Sequence, residues 1–376
     1  LEIRVADSIL EIPRDQWNRC FPGALEDWDY LKVAEQAGMQ GFRYFYPALW
    51  QGETLLAAVP AFVTDYRLDT TVTGRWKRLT ERLAELAPRL LTLRMACLGS
   101  PVGEVCRPGF APETAESERP ALLLSLVRAF EDYSATQGVG FCAVKDVPKP
   151  DLPLWSRCLQ SGYQKIPSLP TAGLEISFDS LDGYLASLSR ATRKDLRRKM
   201  KSREAIRVEW RHHIGDVLPQ VLEIYRQTLA RSEMKFEELT DAFFTGLLSD
   251  PQSQARCALY WQEAELVGFN LVLRDQTRLL DKFIGLKEEI GRSLNLYFLS
   301  WLTNLEFCLE NRIAFYQAGQ AENATKARLG CDFIANYLLF RHRQPVLNGV
   351  LKLVGSLVRV DRHDAVTADL HDGDAA

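Results

Sequence analysis

One order of apolar runs occurs twice in this chain. The stretches ALWQGETLLAAVPAFV (48–63) and ALYWQEAELVGFNLVL (258–273) share a layout: an apolar run ending in Trp-Gln, a short turn, and a second apolar run. Each reads as a β-hairpin, because apolar segments joined by a short polar turn suit two antiparallel strands. Farther on, RPALLLSLVRAFEDYSATQGVGFCAV (119–144) and RSLNLYFLSWLTNLEFCLENRIAFYQA (292–318) each give a long helical pattern followed by a short apolar strand, opening near Phe141 and Phe315. Amphipathic helices alone often resemble one another by coincidence. An order kept across hairpin, helix and strand points instead to a tandem repeat. Two units also suit 376 residues, more than a single hydrophobic core ordinarily serves. The expected division is a first domain over 1–180, a second over 181–345 and a tail over 346–376. The first copy carries a longer insertion at about 74–118, including GRWKRLTERLAELAPRLL. Such an insertion covers a cleft or interface, or simply decorates the surface.

Bulk properties exclude several function classes. A net charge of -3 and a pI near 6.1 argue against a general nucleic-acid binder, which needs a basic surface to displace counterions from phosphates. Any phosphate recognition must be local. The eight cysteines contain no C-x-x-C pair and sit mostly in apolar runs, and the five histidines add no helix-spaced pair in the body of the chain. A disulfide framework, a zinc site and a metal enzyme are therefore not expected. No stretch reaches the roughly 18 apolar residues of a spanning helix, and LEIRVADSIL lacks the layout of a signal peptide. The expected location is the cytoplasm, with attachment to the inner face of a membrane as the second choice.

One segment stands apart from this balance. SRATRKDLRRKMKSR (189–203) holds eight basic residues and one acid, Asp195. On a helix, Arg190, Arg193, Lys194, Arg197, Arg198 and Lys201 recur at spacings of three and four, opposite Leu188, Thr192, Leu196 and Met200. Most such faces are only solvated. Like charges at this spacing repel, however, and an anionic partner relieves the repulsion.

A hairpin, a long helix, a strand, a shorter helix and closing strands form the order of a GNAT-type N-acyltransferase domain. Two in one chain resemble the Fem-type peptidoglycan aminoacyltransferases and their N-acyltransferase relatives, over approximately 1–345. Three stretches carry the resemblance: LDGYLASLSRATRKDLRRKMK (181–201), like the family's link between halves; GLKEEIGRSLNLYFLSWL (285–302), at the place of a phosphate loop; and AFYQAGQAENATKARLGCDF (314–333), like the closing pattern with Lys a few residues before Gly. Relatives often carry Tyr directly before that Lys, where this chain has Thr325. The implied fold is α+β, with tandem GNAT-like domains, each a mixed, mostly antiparallel sheet flanked by helices.

The implied activity is transfer of an acyl or aminoacyl group to an amine, small-molecule or peptide. The donor is acyl-CoA, an acyl carrier protein thioester or aminoacyl-tRNA, used as a co-substrate with no tightly bound cofactor, and the acceptor class includes bacterial cell-envelope precursors. Gly291, Arg292 and Ser293 are candidates to cradle a donor phosphate at a helix mouth, flanked by Arg193, Arg197 and Arg198. The usual Arg or Gln three positions before the glycine is Glu288 here, and the first copy has SERPALLL, without a glycine, at the matching place. Only the second half is therefore expected to hold a donor. Asp281, Glu288 and Glu289 are candidate proton acceptors, and Tyr316 a candidate donor to the leaving group. Lys326, with Lys282 and Asn323, is a candidate for holding substrate. Each also has an ordinary reading as a surface acid, a buried-edge aromatic or a solvated side chain. After 344, PVLNGVLKLVGSLVRV places apolar residues on one helical stripe, which packs on the body or lies in a membrane interface over 346–360. A non-catalytic recognition module of the same fold, binding a peptidoglycan or nucleotide-linked precursor, is the rival reading.

Overall fold

Strands form where β-branched and aromatic residues dominate short runs, and helices where apolar residues recur every three or four positions. The computed structural model describes both over residues 1–67, 92–232, 236–249 and 253–349. Two units result. The first comprises the described parts of Leu1–Ser168, Glu233–Glu238 and Ala335–Val360, and the second those of Leu169–Ser232 and Leu239–Ile334. The division thus falls ahead of 180, and the chain returns to the first unit at 335. The first part of the expected insertion, up to residue 91, and the tail from 350 onward lie outside the described residues. Residues 345–349 are helical, with Val346 79% exposed.

The first unit contains β1 (Glu2–Ala6), α1 (Arg14–Cys20), α2 (Trp28–Gln36), β2 (Phe42–Gln51), β3 (Thr54–Ala58), β4 (Ala61–Arg67), β5 (Thr92–Leu98), β6 (Gly109–Phe110), α3 (Arg119–Thr136), β7 (Phe141–Pro148) and α4 (Ser156–Gln160). β8 (Gln164–Glu175) leads into the second unit: α5 (Leu181–Ser187), α6 (Arg190–Lys199), β9 (Arg207–Arg211), α7 (Leu218–Arg231), α8 (Asp241–Leu247), β10 (Ala255–Gln262), β11 (Glu265–Arg274), β12 (Arg278–Leu286), α9 (Glu288–Ser293), α10 (Leu296–Asn311), β13 (Phe315–Gly319) and α11 (Asn323–Arg328). β14 (Asp332–His342) closes the series.

Both hairpins form, and they share a local irregularity. β2 pairs with β3, and β10 with β11, each with a register shift just before the Trp-Gln pair, at Leu49/Trp50 and Tyr260/Trp261. An arginine from the outer strand covers that tryptophan in both copies: Arg4 lies 5.6 Å from the Trp50 ring and Arg207 5.1 Å from the Trp261 ring. Gly52 and Glu263 occupy the same turn position, both left-handed at φ 59° and 52°, a conformation easy for glycine and costly for glutamate.

The sheets follow one plan. In the first unit β2, β4 and β5 are antiparallel neighbours and β5 runs parallel to β7. In the second, β9, β10, β11 and β12 are antiparallel neighbours and β12 runs parallel to β13. In both copies the link between the two parallel strands includes the long helix, α3 or α10. Each sheet is then completed from the other half of the sequence: β14 pairs antiparallel with β7, and β8 with β13.

α10 is apolar on nearly all sides, and Leu296, Leu299, Trp301, Leu302, Leu305 and Cys308 are all buried, the pattern of a central helix. Across from it, Gly285 of β12 lies beneath its cross-strand partner Phe269: a Cβ there would stand 2.2 Å from the ring. Phe269 is fully buried and held edge-on by Phe244 at 5.7 Å, so it cannot swing aside. Gly285→Ala should therefore cost about 1–3 kcal/mol through overpacking, measured by chemical denaturation; an unchanged midpoint would show that the ring yields.

Candidate active site

The second unit's parallel strands separate early. β12 and β13 pair only over Arg278–Leu280 and Phe315–Gln317, while β12 continues to Leu286 on its β11 side. Residues 281–284, although on an inner strand, are only half-buried. In the first unit β5 ends at Leu98, which is still paired with Val144. A wedge thus opens in the second copy where β12 leaves β13, and Asp281 is the first residue past the last pair.

Asp281 anchors a buried polar network. A bulge between Leu271 and Val272 sets Val272 opposite Asp281 and Leu271 opposite Phe283, and such bulges re-aim side chains. Asn270 of β11 donates from Nδ2 to Asp281 Oδ1 at 2.6 Å, and the Tyr316 hydroxyl of β13 donates to Oδ2 at 2.8 Å. Asn304 of α10 donates from its own Nδ2 to Asn270 Oδ1 at 2.8 Å, to the Tyr316 oxygen at 2.9 Å and to Asp281 Oδ2 at 3.4 Å. Asn270 and Asn304 are fully buried and Tyr316 nearly so. Burial pushes the Asp281 carboxyl above its ordinary range, opposed by the hydrogen bonds from Asn270 and Tyr316 and by the charges of Lys326 and Lys282. Burial, reinforced by the Asp281 charge, holds the Tyr316 phenol well above its usual range.

The sequence candidates fall into three groups. Asp281 and Tyr316 meet, as above. Lys326 and Asn323 are buried on α11, 5% and 4% exposed; the Lys326 charge acts on Asp281 while its Nζ donates to the Ala318 carbonyl of β13, and Asn323 Oδ1 has no partner among the described residues. Lys282 lies next to Asp281, its ammonium 5.8 Å from the Phe283 ring. Glu288 and Glu289 lie instead on the exposed first turn of α9, where Glu288 pairs with Arg292 at 2.9 Å and Arg231 at 3.8 Å. Gly291 stands inside α9, with its N–H donating to the Lys287 carbonyl at 2.7 Å and its Cα against Leu286. The Ser293 hydroxyl donates to the Ile290 carbonyl.

The basic strip forms as α6, capped by Ser189, with Thr192 and Leu196 buried beneath it. Asp195 is shared by Arg198 at 2.7 Å, Lys199 at 2.8 Å and Arg328 of α11 at 3.7 Å, and the hydrogen bonds from Lys199 and Arg198 hold its carboxyl below the usual range. Lys199 also sits 3.3 Å from the Phe298 ring of α10. α6 is thereby fixed to α10 and α11, the helices that supply Asn304 and Lys326. Arg193 reaches the Ala186 carbonyl, and Arg197 stands 4.0 Å from Asp182. Arg190, Lys194 and Lys201 have no acidic partner among the described residues.

Asn270 and Asn304 were not among the candidates. The available signal was a lone amide inside an apolar strand, GFNLVL, and another inside an apolar helix, WLTNLEF; polar groups are rare in such places unless bonded. All eight cysteines are free and buried, and burial lifts the Cys331 thiol to about 12, which disfavours a thiolate nucleophile there. Among the described residues no group of three or more His, Cys, Asp or Glu could hold a metal ion, and no helix is long and apolar enough to cross a membrane.

Two sheets of this plan, each with a long helix linking its parallel strands, make a tandem GNAT-like fold of the Fem type. Comparison with known proteins agrees. Residues 171–354 match the FemAB-like family model, described as peptidoglycan biosynthesis/recognition. Among solved structures, FemX is similar at 12% identity over 94% of this chain and 100% of its own, with a TM-score of 0.57. The C-terminal domain of a putative lysylphosphatidylglycerol synthetase from Agrobacterium fabrum is similar at 14% identity, covering 92% and 96%, with a TM-score of 0.53. A tandem GNAT protein from the clavulanic acid biosynthesis pathway is similar at 12% identity, covering 92% and 99%, with a TM-score of 0.53. No curated protein matches the sequence.

Proposed function

We propose that this protein is an acyl- or aminoacyltransferase that holds an activated donor in the wedge of its second unit and passes the acyl group to an amine, with a cell-envelope precursor as the acceptor class. The observation that carries this reading is Asp281, a carboxylate on a half-buried residue set where β12 parts from β13. In the reaction the amine nitrogen bonds to the acyl carbon, the carbon–sulfur or carbon–oxygen bond of the donor breaks, the amine proton passes to Asp281, and the leaving group takes a proton from water. Burial raises the basicity of Asp281 above that of an ordinary carboxylate, which suits a general base. The Tyr316 hydrogen is committed to Asp281, so in this reading Tyr316 supports the base.

The α6 strip suits the anionic part of the donor, the phosphates of coenzyme A or of a tRNA, because it is fixed to the two helices beside the wedge. Replacing Arg193, Arg197 and Arg198 together by Ala should raise the apparent KM for the donor roughly tenfold at low salt, flatten its salt dependence and leave kcat near its original value. An unchanged KM would make the strip mere surface.

The recognition reading keeps one support, since the matched family description covers biosynthesis and recognition alike. Incubating the full chain with acyl-CoA species or aminoacyl-tRNA, together with amine acceptors that include muropeptides, tests both. Acceptor-dependent release of thiol or tRNA is the expected result; binding of muropeptide without turnover would favour recognition. Co-sedimentation with liposomes separately tests surface attachment through 346–360.

A further inference from the structure

Asp281 has three side-chain neighbours able to hydrogen-bond, and the direction of those bonds is not arbitrary. A tyrosine hydroxyl has one hydrogen and can accept as well as donate; an asparagine carries a donor end and an acceptor end. Asn304 Nδ2 faces three oxygens, those of Asn270, Tyr316 and Asp281, so the group standing there must be the donor. The Tyr316 oxygen is then an acceptor from Asn304, and its single hydrogen goes to Asp281 Oδ2. Asn270 likewise offers its carbonyl to Asn304, which turns its Nδ2 toward Asp281 Oδ1. One amide, buried in α10, orients both partners.

We propose that Asn304 is a positioning residue of this site: it sets the direction of the hydrogen bonds Asp281 accepts from Tyr316 and Asn270, and thereby leaves Oδ1 as the oxygen free to take the proton. Oδ2 receives both the Tyr316 hydroxyl and the longer Asn304 contact, whereas Oδ1 receives only Asn270. Since a carboxylate oxygen accepts about two hydrogen bonds, the open lone pair is on Oδ1. This inference rests on the reading of Asp281 as the proton acceptor for its catalytic meaning, but the bonding claim stands apart from turnover.

Two other groups act on Asp281, Lys326 on α11 and Lys282 on its own strand, while Tyr297 on α10 and Tyr260 on β10 lie within reach of its charge, which helps push their phenols up and keeps them neutral. None of them reaches its oxygens with a hydrogen bond among those described. The two lysines are retained in the Asn304 variants below, so a change in the titration of Asp281 there reports on the amide.

The test is a carboxyl 13C NMR titration of the full chain labelled at aspartate, with the Asp281 signal assigned by its loss in Asp281→Asn. Asn304→Leu keeps the shape of the side chain and removes its donor. The expected result is an upward move of the Asp281 midpoint by about one pH unit, since the charged form loses hydrogen-bond support. In the transfer assay the acidic limb of the pH–rate profile should move in parallel, with the donor KM within about twofold of its original value. A residue that merely fills space would leave both midpoint and limb in place, and an unmoved midpoint in folded Asn304→Leu overturns the proposal. Should that variant fail to fold, Asn304→Ser, which cannot reach Tyr316 and Asn270 together, is titrated under the same criterion. If the midpoint moves but neither Asn304→Leu nor Asp281→Asn alters turnover, the bonding inference stands and the proton-acceptor reading fails.

Discussion

Asp281→Asn should lower turnover by about 10²–10⁴-fold, the range of a general base, while leaving the protein at least as stable at neutral pH. The two effects share one cause. Burial raises the carboxyl above its unfolded value, so the folded state binds the proton more tightly than the unfolded chain does. As pH rises from the unfolded value, near 3.9, through the raised folded one, the folded state is progressively burdened by an unfavourable charge and stability falls; above that window the loss is complete. The amide carries no such charge, so the stability difference in favour of the variant should grow across the window and then level off. Part of the gain is offset, because an amide nitrogen facing Tyr316 leaves the phenol hydrogen without its acceptor. Urea denaturation of both proteins from pH 3 to pH 8 reads the difference directly. Undiminished turnover would remove Asp281 from the chemistry; a difference independent of pH would show that its charge is not the cost.

Trp301→Ala is expected to have the largest effect on stability. Trp301 is 3% exposed, lies 5.0 Å from the Tyr316 ring and donates from Nε1 to the Tyr184 hydroxyl, which donates in turn to the Leu329 carbonyl. One side chain thus joins α10 to α5 and to the end of α11 while packing against Tyr316. Deleting a buried tryptophan costs about 3–5 kcal/mol. The cavity also removes the packing that holds Tyr316, so activity should fall as well. Hydrogen exchange is the appropriate measurement, because a chain with two units need not unfold in a single step: amides of α10 and α5 should lose protection by that amount. A loss below about 1 kcal/mol would show that the core around Trp301 collapses to fill the space.

Much of this was legible in the residues, and what was not has physical reasons. The repeated Trp-Gln hairpins and the long helices rest on local pattern, and both formed, down to a shared bulge whose presence no composition announces. Asp281 and Tyr316 were readable as candidates because acids and phenols on strands near a presumed donor site are few. Asn270 and Asn304 escaped because an amide's role depends on which way it points, and that is decided by partners 11 to 34 residues away. Gly291 looked like the opening of a helix, yet its N–H closes a turn inside one. Six residues are too short for periodicity to mark where α9 begins. The early parting of β12 from β13 was likewise invisible, since nothing local in either strand reveals where a ladder ends.

The crossing of β8 and β14 carries a consequence for how such a chain can be divided. The junction after the first copy is not a seam at which two independent proteins were joined. A fragment ending there would take β8 with it and lack β14, leaving β7 bare along one side; its counterpart would leave β13 bare. Bare edges of that kind recruit foreign strands, so either half alone would tend to aggregate. The repeat visible in the residues therefore does not mark a place where the folded chain can be cut.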